Sequence, residues 1–76
     1  MAATVTSTPL GDNRFKVKVT GDDGDVYQFD LTVWVANGKW SATLRGAIRV
    51  QSTEGRRSRK AARAWGERRA LEWSLS

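Results

Sequence analysis

An Asn-Gly pair stands at positions 37 and 38 between two segments of alternating apolar and polar residues, and nothing else in the chain restricts its fold so strongly. In the type I′ loop that Asn-Gly favours, both central positions need positive φ, which Gly and Asn tolerate best. A reversal there pairs Ala36 with Lys39, and the register then runs Val33 with Ala42, Leu31 with Leu44, Phe29 with Gly46 and Tyr27 with Ile48. A second turn, Gly21-Asp22-Asp23-Gly24-Asp25, reverses the chain over five residues and pairs Thr20 with Val26. It sets Val19, Val17 and Phe15 beside Tyr27, Phe29 and Leu31. A slip of one residue at either turn would scatter these residues over both faces, because side chains alternate with period two. Instead one face of three strands is apolar, which makes the second strand central. The expectation is a three-stranded antiparallel β-meander in which Gly46 marks a bend or bulge and the third strand continues through Ala47 to Gln51.

After Ser52 the period changes. Ser58 is suited to cap a helix, and Arg59 to about Leu75 is rich in Ala, Arg and Leu without Pro. Ala61, Ala64, Trp65, Leu71 and Leu75 share one arc, which with Trp40 should cover the apolar sheet face. Arg68 projects into that arc and Glu72 lies at its edge. Either Arg68 reaches to solvent with Glu72 as its i,i+4 partner, or the helix is rotated. Trp73 falls off the arc, exposed or on the sheet rim. The predicted class is α+β, one β-β-β-α domain over 14–76 with a single C-terminal α-helix. Residues 1–13 hold the only Pro, several Ser and Thr, and Gly11-Asp12-Asn13, and read as a flexible arm closed by a turn, with Val5 as an alternative start for an edge strand.

Seventy-six residues buy little interior: a chain of this size buries only about 60% of its unfolded surface, so its four Trp, two Phe and one Tyr matter to the core. Absent Cys and His remove disulfides, Cys/His zinc sites, thiol nucleophiles and imidazole triads. The carboxylates fall in a turn, on a sheet face and on an exposed helix, not paired in a pocket as acid–base work requires. A catalyst is not expected, nor a cofactor, a metal or a small-molecule substrate. No basic stretch followed by an apolar run opens the sequence, and no run of eighteen apolar residues occurs, which reads as a cytoplasmic protein without a membrane span.

Thirteen Lys and Arg against eight Asp and Glu leave +5, which suits polyanionic partners. The polar sheet face carries Arg14, Lys16 and Lys18, then Gln28, Asp30, Thr32 and Trp34, then Lys39, Ser41, Thr43 and Arg45, then Arg49 and Gln51. One helix can shield only one side of a sheet. This face is either a solvated surface, with Asp30 neutralising Lys16 and Arg45 across strands, or a binding surface. In the second case Lys16, Lys18, Lys39, Arg45 and Arg49 meet phosphates or base edges and Trp34 stacks or wedges. A second basic run holds Arg56, Arg57, Arg59, Lys60 and Arg63. Cations at a helix start oppose the helix dipole unless an anion visits, so these residues are candidate phosphate contacts.

Gly38-Lys39-Trp40-Ser41-Ala42-Thr43-Leu44-Arg45 in a strand and Ala61-Ala62-Arg63-Ala64-Trp65 in a helix resemble the DNA-binding domains of plant ethylene-response factors. They are equally similar to the arm-type amino-terminal domains of phage and transposon tyrosine integrases. The likeness covers roughly Thr32 to Leu71 and implies sheet contacts in a DNA major groove by Trp34, Lys39, Thr43, Arg45 and Arg49, with Trp40 in the core. The Gly-Phe or Gly-Thr-Phe usual before the helix is missing. A competing likeness joins Ser58-Arg59-Lys60-Ala61-Ala62-Arg63 and Ala70-Leu71 to the last helix of double-stranded-RNA-binding domains, although that fold's first helix has no counterpart. The sequence thus points to a small non-catalytic double-stranded DNA-binding domain, with phage or mobile-element origin as the expected source. Its alternatives are a double-stranded RNA binder and a small phage or mobile-element protein that modulates a host protein, with Trp34 and Trp73 as anchors.

Overall fold

The computed structural model describes residues 3–75. Five strands precede one helix: β1 Thr4–Gly11, β2 Arg14–Thr20, β3 Val26–Ala36, β4 Lys39–Arg45, β5 Val50–Arg56 and α1 Arg59–Leu75. The strands form one antiparallel sheet in sequence order, so each pairs with its neighbour in the chain. The class is α+β, with five strands where three were expected.

The inner three strands follow from the two turns. Asn37 and Gly38 both hold positive φ, 54° and 76°, as a two-residue hairpin turn that matches strand twist requires. The register sets Val33 against Ala42 and Leu31 against Leu44. The five-residue turn closes with the Gly21 N–H donating to the Asp25 carbonyl at 2.8 Å, and pairs Thr20 with Val26 and Phe15 with Leu31. Phe15, Val17, Val19, Phe29, Leu31, Val33, Ala42 and Leu44 consequently share one face and are buried.

The two additional strands correct the expected boundaries. Thr4–Gly11 is not a flexible arm but a β-strand on the edge of the sheet, with Val5 opposite Val19 and Ser7 opposite Val17. Its β-branched Thr and Val residues favour the extended backbone, and Asn13 at φ 61° makes the reversal into β2. The arm's first two positions, 1 and 2, lie outside the described residues. At the other edge, the chain does not run on through Gly46. It turns back, with the Gly46 N–H donating to the Arg49 carbonyl at 2.7 Å, and returns as β5. A Cβ on Gly46 would meet the Phe29 ring at 3.2 Å, so this glycine lets the turn press against β3. Phe29 with Gly46 and Tyr27 with Ile48 are therefore not paired; β4 meets β3 only from Asp30 to Ala36. The register of β5 shifts at its far end, where Gly55 takes φ 72°.

The helix begins at Ser58, whose hydroxyl accepts from the Ala61 N–H at 3.1 Å. It is rotated from the expected arc. Ala62, Trp65, Gly66 and Ala70 are its buried residues, while Ala64 and Arg68 are exposed. Leu75 is largely exposed as well. Arg69, not Arg68, makes the ion pair with Glu72, at 3.0 Å. Ala62, Gly66 and Ala70 recur every fourth residue and form a ridge without bulk, which brings the helix backbone close to the sheet. At the centre of that ridge, a Cβ on Gly66 would lie 2.5 Å from one methyl of Leu31 and 2.7 Å from the other.

Gly to Ala in a helix interior ordinarily stabilises by about 1 kcal/mol. Here overpacking by one methyl opposes that gain by roughly 1–3 kcal/mol. Gly66→Ala should therefore lower stability in urea unfolding, whereas the same change combined with Leu31→Ala should cost less than the sum of the two single changes. Additive costs would show that Gly66 and Leu31 do not touch.

Candidate nucleic-acid interface

The sheet face away from α1 is uncovered. Antiparallel register builds it in rows across the strands: Thr8, Lys16, Asp30, Arg45 and Val50 in one, and Arg14, Thr32, Thr43 and Ser52 in the next. Lys18 pairs with Gln28, Trp34 with Ser41 and Ala36 with Lys39. The structure thus brings six of the candidate residues, Lys16, Lys18, Trp34, Lys39, Thr43 and Arg45, onto one surface. It adds Arg14, Gln28 and Ser52, which the same alternation or the fifth strand sets there.

Lys16 Nζ lies 3.1 Å from Asp30 Oδ1. Both side chains are well exposed, so the pair contributes little stability, but it partly occupies one cation of the face. Thr43 and Ser52 exchange a hydrogen bond of 2.8 Å between their hydroxyls. Trp34 is 38% exposed, and Ser41, its partner across the ladder, is 4% exposed. An indole open to solvent beside a buried serine offers a flat apolar surface among charges. A depression of about 370 Å³ beside it is lined by Trp34, Lys39, Ser41 and Glu54, so one carboxylate stands at its rim.

The second basic group does not join this face. Arg59 and Arg63 lie on the helix side, with their guanidinium carbons 5.2 and 4.5 Å from the Phe15 ring centroid. Arg59 Nε donates to Asn13 Oδ1 at 3.0 Å. Arg63 donates to the Ser7 hydroxyl and, at 3.2 Å, to the Ser7 carbonyl, and Ser7 in turn donates to Glu67. These arginines roof Phe15 and fasten β1, which no sequence pattern of charge alone reveals. Arg56 is opposite Trp40 on the inner side and donates to Thr53 Oγ1 at 3.1 Å. Arg57 and Lys60 are exposed where the chain crosses from sheet to helix. Arg49, expected on the outer face, instead sits in the β4–β5 turn with its guanidinium 5.8 Å from the Trp73 ring. Gln51 is opposite the inward Leu44, so it leaves the outer face too.

Comparison with protein-family models, with curated proteins and with solved structures finds no match to this chain. Function is accordingly argued from the surface itself.

The two arginine environments predict different responses. Arg63→Ala should lower stability by about 1 kcal/mol, since a half-exposed network is partly screened, and should speed amide exchange in β1. Trp34→Ala should cost under about 1 kcal/mol, against roughly 3–5 kcal/mol for the buried Trp65→Ala. Thermal unfolding of the three variants checks the order, and Trp34→Ala as the most damaging change would mean that the sheet faces are reversed.

Proposed function

We propose that this chain is a non-catalytic double-stranded DNA-binding domain that meets the duplex with its uncovered sheet face. One observation carries the reading: the face presents Arg14, Lys16, Lys18, Lys39 and Arg45 around an exposed Trp34, against only Asp30 and Glu54 of opposite sign. Cations on β2 and β4 flank β3 at two strand spacings, about 10 Å apart. A B-form major groove is about 12 Å wide. The β2 and β4 cations would then serve the two phosphate backbones, while Gln28, Thr32 and Trp34 of β3 face the base edges. The whole sheet, roughly 19 Å across its five strands, is too wide to enter the groove. The outer strands would lie over the backbones, where the hydroxyls of Thr4, Thr6 and Thr8 can donate to phosphate oxygens. The deep, narrow major groove of A-form RNA would not admit this face, which favours DNA.

Binding of this kind releases counterions, so the logarithm of affinity falls with the logarithm of salt by about 0.9 for each phosphate contact. Titration of labelled duplex DNA at several salt concentrations tests it. Lys18→Ala, Lys39→Ala and Arg45→Ala should each flatten the slope by about one unit, while Asp30→Asn frees Lys16 and should tighten binding and steepen the slope. Arg57→Ala and Lys60→Ala should change little. No duplex bound at low salt, or a loss confined to Arg57 and Lys60 variants, would overturn the reading, and preference for duplex RNA would replace DNA with RNA.

A further inference from the structure

β3 outruns its partner at one end of the sheet. Val26 to Phe29 pair with β2 on one side, from Thr20 to Val17, but β4 meets β3 only from Asp30 onward. The chain that would have extended β4 has turned away at Gly46 to Arg49. Between the bare edge of β3 and that turn lies a groove of about 400 Å³. Phe29 and Trp73, with ring centroids 5.9 Å apart, line it from the helix side. Its rim is apolar: Ile48 is 93% exposed, and Val26 and Tyr27, which also line it, are exposed. Single exposed apolar residues are ordinary, but several gathered beside an open strand edge form a surface that water serves poorly.

Three features specify the occupant. A strand edge offers backbone donors and acceptors at the spacing of an extended chain. The aromatic lining suits an apolar side chain. Arg49 is the one charged residue among those lining the groove, which calls for a carboxylate. We propose that the groove takes an extended segment of another protein. It adds as a short strand along Val26–Gln28, sets an apolar side chain against Trp73 and Ile48, and brings an acidic side chain to Arg49. A second copy of this chain fits less well. Two copies at +5 repel, β1 has no charged side chain, and the other edge strand, β5, sets its one acid, Glu54, two residues from Arg56. The groove shares Gln28 with the outer face but none of its cations, so Ile48→Glu and Arg49→Ala test it without touching the cations proposed to meet DNA.

A random eight-residue peptide library displayed on phage, selected on the full chain and counter-selected on Ile48→Glu, tests the proposal. Ile48 is so exposed that this change should leave folding intact, which circular dichroism would verify. Expected are peptides in which apolar and acidic residues alternate, with affinity reduced at least tenfold by either Ile48→Glu or Arg49→Ala. N-methylation of alternate backbone amides of a selected peptide should abolish binding if the segment adds as a strand. The idea is overturned if no peptide is enriched, if the enriched peptides are basic or indifferent to both changes, or if N-methylation has no effect. Sedimentation showing a dimer that Ile48→Glu dissociates would assign the groove to a second copy instead.

Discussion

At Leu31 and Gly66 the two layers meet with no room for one added methyl, and the rest of the structure is arranged around that contact. Leu31 sits in the central strand between Phe15 and Leu44. A side chain at position 66 would occupy the space its methyls fill. The helix can therefore lie low only where its ridge is Ala62, Gly66 and Ala70. Bulk moves to the flanks: Trp65 is buried beside the ridge, and Trp73 meets Phe29 near the end of the helix. Close packing of this kind fixes one rotation of the helix, because a turn of one residue in either direction would drive a larger side chain into Leu31.

That rotation also divides the arginines by role. Arg59 and Arg63 follow Phe15 and β1 because they occupy the helix flank over the first hairpin, where their stems cover apolar surface and their planar heads find Asn13 and Ser7. Arg69 stacks near Trp65 at 5.9 Å while pairing with Glu72. The outer sheet face has no layer packed on it, and there Lys16 meets Asp30 across the strands. A count of basic residues along the chain merges these populations; only the layer in which each residue sits separates them.

How far the sequence revealed this arrangement depends on how strongly each segment declared its inward side. β2 against β3, and β4 against β3 from Asp30 to Ala36, are legible to the exact pair because their inward residues are Phe, Val, Leu and Ala and their turns permit few lengths; the pairs expected beyond Asp30 fail because Gly46 ends β4. β1 was hidden because its inward residues include Ser7 and Pro9, too polar or too irregular to show a period of two. β5 was hidden for the same reason: its inward positions hold Gln51 and Thr53, and Gly55 breaks the alternation. Both are edge strands, half-wetted, so hydropathy marks them weakly. The helix phase was misjudged because a contact built from Ala and Gly carries little hydropathy, whereas the exposed Ala64 and Leu75 carry enough to mislead. Six outer-face candidates followed from alternation alone. Arg49 did not, since its position depended on whether Gly46 bends the strand or ends it.

The order of the strands has a consequence for how the molecule comes to exist. Every strand pairs with its neighbour in sequence, so the whole sheet can assemble from local hairpins without closing a long loop. Its apolar face, however, is covered by a helix that follows all five strands in the chain. During synthesis at about 5–20 residues per second, the 17 residues of α1 take roughly one to three seconds to appear. Until that helix docks, the sheet shows Phe15, Leu31 and Leu44 to its surroundings, and its first hairpin lacks the arginines that fasten it. The molecule is therefore most vulnerable to chaperone capture or misassociation in the interval after the sheet can form and before the helix docks.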